Sequence, residues 1–344
     1  SNSATATATL LETGGADTTL EVFYGTNDGG TDPLEDPKSI SGINLWLDAS
    51  DSSTLFANTT LSTPATSSVA GWKDKSGNDY HATAPSGAEP TIGADNINGK
   101  NVITLGSSKR ISSSTPASAN WQDTYIVSRW DGGSNFGAHP GLFTGTTNAS
   151  GNIGIIGGSN NTDLYTTNWF NNIYLNGNTS STSGVLSTMS SPFLVSISAN
   201  SIVSVNGYMI GQDRIQNSRT WNGVIAEVLA FGTKLSDSDR QKIEGYLAHK
   251  WGVSLPSSHT AWQQSTKLPN AQNPGDIELG MTGLSASTSY VYRVRASNSA
   301  GSVWSDAISF TTGAQLQSPA ISSADASNVA GTTATANGNL LSFD

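Results

Sequence analysis

Oxygen donors gather in and beside two turns of this chain: Asp48 and Asp51 in LDASD, Asp74 and Asn78 in DKSGN, with Glu227 alone inside VIAEVLAF. A calcium ion takes roughly six to eight hard oxygen ligands at short range, which carboxylates and turn carbonyls supply together. The pattern predicts a Ca2+ site made by Asp48, Asp51, Asp74 and Asn78, with Glu227 joining from a strand. Against it stands a plainer use of the same residues, since Asp and Asn in turns often bond their own backbone amides.

A second chemistry is suggested by aromatic residues set among glycine and asparagine. Sugar recognition needs an aromatic face to stack on a pyranose and amide or carboxylate groups to fix the hydroxyls. RWDGGSNFGAHPG offers Trp130, Asp131, Asn135 and His139, and GGSNNTDLYTTNWFNN offers Asn160, Asn161, Asp163, Tyr165, Trp169 and Asn171. Trp130 and Trp169 are expected as platforms because Gly and Asn surround them; Trp46, Trp72, Trp221 and Trp251 sit in apolar text and are assigned to packing.

Hydrolytic chemistry lacks its residues. Glycosidases use closely spaced carboxylates from alternate strand positions, and no E-x-D-x-E cluster occurs. There is no G-x-S-x-G elbow, and His81, His139, His249 and His259 do not form H-E-x-x-H. The chain is therefore expected not to be an enzyme.

The 26 acidic residues against 16 basic ones give a net charge of -10, which repels a phosphate backbone and an anionic membrane alike. Nucleic acid is excluded as an expected partner. Without cysteine there are no disulfides, thiolate metal sites or thiol nucleophiles, a composition compatible with an exported bacterial protein. No apolar run reaches the roughly 20 residues of a membrane span, and SNSATATATL lacks the features of a signal sequence, so the chain reads as a piece of something longer.

The elements that must position these residues are mostly strands. Thirty-six glycines and abundant Ser, Thr and Asn favour an all-β fold with tight turns. INLWLDASDSSTL alternates Ile43, Leu45 and Leu47 inward, and VAGWKDKSGNDYHATA reads as strand, turn and strand. SPFLVSISANSIVSVNGYMIG puts apolar residues on both sides of Asn206-Gly207, which predicts a tight hairpin. One segment has a helical period: Ser236 and Asp239 form a capping box, and Ile243, Tyr246, Leu247 and Trp251 share a stripe. Near the ends, Leu20, Val22 and Tyr24 face one way, as do Tyr290, Tyr292, Val294 and Ala296. Neither terminal fragment can bury a core alone, and joined they nearly make one sandwich.

LSASTSY at 284–290, followed by RVRASNSAG, resembles the leucine-to-tyrosine corner of fibronectin type III domains, with Ala286 and Ser287 where that family usually has Pro and Gly. The resemblance implies that the Tyr290 hydroxyl ties the corner to nearby backbone. ATANGNLL at 334–341 echoes ATATATLL at 4–11, suggesting tandem modules. LWLDASDSSTL, WKDKSGNDYHATA, VNGYMIG and GVIAEVLAFGTKLSDSDRQKIEGYLAHKWG together resemble the laminin G-like branch of the concanavalin A-like lectin/glucanase jelly rolls. Relatives of that kind commonly hold a calcium at an edge of the sandwich.

The expected architecture is all-β: a concanavalin A-like jelly-roll sandwich with one C-terminal helix, inserted into a fibronectin type III-like β-sandwich. Its expected divisions are 1–37 and 269–313 as the split sandwich, 38–268 as the lectin-type insert, and 314–344 as a linker and the start of another repeat, or strands completing the split domain. The arrangement is similar to ligand-binding regions of large bacterial surface adhesins. It implies an extracellular, calcium-dependent lectin module that attaches to a polysaccharide or glycan on a cell or matrix surface, beside neighbouring repeats of the same chain. The alternative is a structural extender or protein-binding module without a sugar site; a polysaccharide-degrading enzyme ranks below both.

Overall fold

The computed structural model describes residues 3–14, 16–30, 36–114, 119–147, 154–166, 172–205, 207–216, 218–256, 258–262, 264–268, 274–314, 320–330 and 333–342. The fold is all-β, built from antiparallel sheets with, among the described residues, two α-helices, the one-turn α1 at Leu186–Met189 and the longer α2 at Asp237–Trp251. The chain divides into two compact units, one of Ser1–Val22 with Thr266–Asp344 and one of Phe23–Ser265.

The larger unit contains an eight-stranded and a seven-stranded sheet. Leu55, Trp72, Ile111, Phe143, Ile155, Tyr208 and Ile210 from the first share one interior with Leu45, Leu47, Ile126, Phe193, Val195, Ile225 and Val228 from the second. The other face of the seven-stranded sheet is covered by helix α2, whose Ile243, Leu247 and Trp251 pack on Trp46, Tyr125, Val127, Leu229 and Phe231. Strand Gly223–Phe231 is therefore buried on both faces and reads as an apolar run, interrupted at Glu227, rather than an alternation.

Helix α2 begins where the sequence places it. The Ser236 side chain accepts from the Asp239 N–H, Asp237 and Asp239 occupy the positive end of the helix, and Gly252 closes it at φ 68°. It is not the only helix, because α1 turns once immediately before strand Phe193–Val205.

The predicted hairpin at Asn206-Gly207 is corrected by the sheet order. Strand Phe193–Val205 pairs with Ala119–Trp130 and Asn172–Leu175, whereas Tyr208–Ile210 pairs with Ile111–Ser113 and Gly141–Thr144 in the other sheet. The turn passes the chain between sheets. Gly207 suits this corner, with φ 62° and a position where an added Cβ would lie 2.1 Å from the Ser113 carbonyl oxygen. Asn206 lies outside the described residues.

In the smaller unit, Ala4–Leu10 pairs antiparallel with Gly275–Met281 across nearly three hundred residues of chain, Ala4 opposite Met281. Ser289–Asn298 pairs with Gly301–Trp304 and with Ile308–Thr311, and its Arg295 meets Glu21 at 2.9 Å. The Tyr290 hydroxyl accepts from the Ser285 N–H at 2.8 Å, the backbone tie that the resemblance implied. Strands Ala320–Ala330 and Thr333–Ser342 pair with each other.

Candidate functional site

The loops after Trp130 and after Gly157 are stitched into one surface. The Phe136 N–H donates to the Asn161 carbonyl at 2.9 Å, the Asn160 N–H to the Gly137 carbonyl at 2.5 Å, and Ala138 bridges Ser159. Asn135 accepts from the Gly137 N–H and Asn161 from the Asp163 N–H, each at the usual spacing of an Asx turn. The Asp163 carboxylate accepts from Ser183 Oγ and the Gly184 N–H, fixing the second loop from behind. His139 and Asn160 both adopt positive φ, at 52° and 53°.

This surface presents Tyr165, which is 47% exposed and lies edge-on to the half-buried His139 ring with centroids 5.9 Å apart. The exposed side chains of Asn135, Asn160 and Asn161 belong to the same two loops. A ring with an open face and amides that can donate and accept together are suited to a sugar.

Trp130 is not the platform expected of it. It is 5% exposed, packs at 4.9 Å from Trp221 and 5.3 Å from Phe136, and gives its indole N–H to the Gly133 carbonyl. The glycines around it serve this packing: an added Cβ on Gly132 would lie 2.2 Å from the Trp130 ring. Asp131 is held by Arg129 at 2.7 Å, and Arg129 also binds Asp95. Trp169 and Asn171 lie outside the described residues.

The five residues assigned to calcium separate into two structures. Asp74 and Asn78 staple their loop to strand Ile43–Asp48. Asp74 accepts from Trp46 N, Ser76 N, Ser76 Oγ and Tyr80 N at 2.7–3.1 Å, and Asn78 donates to the carbonyls of Ile43 and Asn44.

Asp48, Asp51 and Glu227 form a charge cluster around two lysines. Lys75 Nζ lies 3.0 Å from Asp48 and 2.9 Å from Asp51; Lys250 Nζ lies 2.8 Å from Asp48 and 2.7 Å from Glu227. Glu227 is fully buried and takes the Trp46 and Trp251 indole N–H groups at 2.7 Å and the Tyr246 hydroxyl at 2.9 Å. Burial pushes its carboxyl up. Burial works the same way on Asp48, but Lys250, Ser50 and Lys75 outweigh it and hold that carboxyl below its ordinary value. Two ammonium groups among these oxygens make the set unfit for a calcium ion, whose charge they would oppose. Among the described residues, no group of three His, Cys, Asp or Glu side chains is arranged to hold a metal.

A β-bulge decides where Glu227 points. In the pairing of Gly223–Phe231 with Ala119–Trp130, Val127 is opposite Glu227 but Ser128 is opposite Ile225, so Ala226 is extra. The face alternation slips there: Ile225 and Val228 enter the interior between the sheets, while Ala226 and Leu229 face the helix. Glu227 consequently sits on the helix side, directly across from Asp48 on the neighbouring strand. The partners that sequence reading missed are Lys75, Lys250 and Tyr246. Lys250 and Tyr246 are one helical turn apart, a spacing that puts them on one side of α2; what they meet depends on the bulge.

No family model matches the chain, and comparison with curated proteins and with solved structures returns no match. No helix among the described residues is long and apolar enough to cross a membrane.

Proposed function

We propose that the larger unit is a non-enzymatic carbohydrate-binding module, a lectin of laminin G-like, concanavalin A-like jelly-roll type, carried with a fibronectin type III-like sandwich on an extracellular bacterial adhesin. Its ligand is a polysaccharide or glycan on a cell or matrix surface. The observation that carries the reading is the exposed Tyr165 ring beside His139, in a patch whose two loops contribute Asn135, Asn160 and Asn161. Tyr165 stacks on the sugar and the amides take its hydroxyls. The fold and adhesin assignments rest on the sequence resemblance.

The reading is independent of calcium at Asp48, Asp51 and Glu227, because Lys75 and Lys250 already neutralise those carboxylates. Hydrolysis is disfavoured for a related reason: Asp48 and Glu227 lie under helix α2 with Lys250 between them, closed to a glycosidic bond. Weak binding at one site is compatible with adhesion when many copies act together.

A glycan array probed with the full chain and with Tyr165→Ala tests the proposal, each in calcium and in chelator. Binding by the wild type in both solutions and its loss in the variant are expected. A blank wild-type array, or equal binding by Tyr165→Ala, overturns the assignment and favours an extender without a sugar site.

A further inference from the structure

Lys250, Asp48 and Glu227 meet in one buried cluster. The Lys250 Nζ is 2.8 Å from Asp48 Oδ2 and 2.7 Å from Glu227 Oε2, with the three side chains 14%, 4% and 0% exposed. Indole and phenol groups enclose them: Trp46 and Trp251 donate to Glu227, as does Tyr246, and Lys250 is 3.2 Å from the Tyr246 hydroxyl. Amines do not ordinarily condense with carboxylates in water, where both are charged and hydrated. Here both are withdrawn from water and held in contact, beside a further acid.

We infer that Lys250 and Asp48 become joined by an amide bond, with Glu227 as the catalytic acid and base. Glu227 enters as the acid, the form its full burial favours, and a Lys250 proton that passes to Asp48, against the ion pairs that otherwise keep Asp48 ionised, leaves a neutral amine and a carboxylic acid without changing the total charge. The Nζ lone pair then forms a bond to Asp48 Cγ as the carbonyl pair moves onto oxygen. Glu227 takes a proton from Nζ and delivers one to the departing hydroxyl, which leaves as water. The products are one amide, one water and Glu227 restored, with no oxidant or co-reactant.

The surroundings choose Asp48 as the electrophile. The Lys75 ammonium lies 3.0 Å from Asp48 Oδ2, and the Ser50 N–H and hydroxyl donate to Oδ1 at 3.0 and 2.6 Å. These donors stabilise the negative charge that gathers on oxygen when the amine attacks. Glu227 instead has its oxygens held by three donors from rigid rings, as a positioned proton carrier requires.

The bond would close the chain from residue 48, on an early strand of the larger unit, to residue 250, near the end of its helix. Force entering one end of that unit and leaving at the other would run through the amide rather than through strand pairing. This inference does not depend on the sugar reading, and the two fail in separate experiments.

Mass spectrometry of the purified, denatured full chain tests it. The expected mass is one water below that of the sequence, and proteolysis is expected to give a branched peptide joining the segments around Asp48 and Lys250. Lys250→Arg and Glu227→Gln should each show the full sequence mass; Glu227→Gln retains the shape of the site, and circular dichroism confirms folding. A wild type of full sequence mass overturns the inference. So does a lost water confined to a linear peptide, which marks a succinimide, or a branch at Glu227. A Glu227→Gln protein that still loses the water removes the role given to Glu227.

Discussion

Replacing Asp74 by alanine separates a loop staple from a metal ligand. Asp74 is 3% exposed, and its carboxylate accepts from the Trp46, Ser76 and Tyr80 backbone N–H groups and from Ser76 Oγ. The Ser76 groups can turn to water when the carboxylate is removed. The Trp46 N–H is buried in strand Ile43–Asp48 and the Tyr80 N–H half-buried, so these two lose their acceptor with little replacement. A hydrogen bond to a charged group is worth about 1.5–3 kcal/mol, and orphaned donors cost a similar amount, so Asp74→Ala should cost about 3 kcal/mol. Asp74→Asn should cost about half as much, since one amide oxygen still accepts while the new N–H2 faces a donor. Guanidinium unfolding followed by tryptophan fluorescence reads this unit, because eight of the nine tryptophans, all except Trp304, lie within Phe23–Ser265. The midpoint should fall with the slope unchanged, equally in calcium and in chelator. A loss below about 1 kcal/mol refutes the staple, and a chelator shift of the wild type as large as the mutation restores the metal.

Trp130→Ala should destabilise the larger unit by about 3–5 kcal/mol, as expected for removing a buried indole; a loss below about 1 kcal/mol, measured by the same unfolding, would return Trp130 to the surface. Tyr290→Phe should cost about 1 kcal/mol and speed hydrogen exchange at the Ser285 amide, and unchanged exchange would show that the hydroxyl does not hold the corner. Burial raises, and hydrogen bonds and ion pairs more than offset it, at Asp51 and Asp213, whose lowered carboxyls give stability that is present above the ordinary aspartate range and lost as pH falls through their folded values. Burial raises Glu227, which works oppositely and weakens the fold as pH rises through its folded value. The unfolding midpoint should therefore be highest in mild acid and fall steeply below about pH 4, and a midpoint unchanged down to about pH 2 would refute the lowered carboxyls.

The helix, its caps and the Tyr290 corner were legible because each is set by residues a few positions apart. Ser236 reaches Asp239 within one turn, and Tyr290 reaches Ser285 across one corner. Strand alternation likewise showed that Leu45 and Leu47 share a face, and both are fully buried, but Ile43, expected beside them, packs on the helix side because a second bulge leaves Asn44 extra. The candidate sites were less legible. Trp130 looked open because its neighbours in sequence are glycines, yet its neighbours in space are Phe136 and Trp221.

The amino-acid order by itself determined an all-β chain, the position of its long helix and which residues share a side between bulges. Tertiary structure alone decided what lies on each side. One extra residue at Ala226 inverts the alternation and brings Glu227 to Asp48 and Lys250; one turn at Gly207 moves the chain to the other sheet. The physical reason is that strand periodicity is local, whereas register, bulges and sheet membership are fixed by pairing with distant segments.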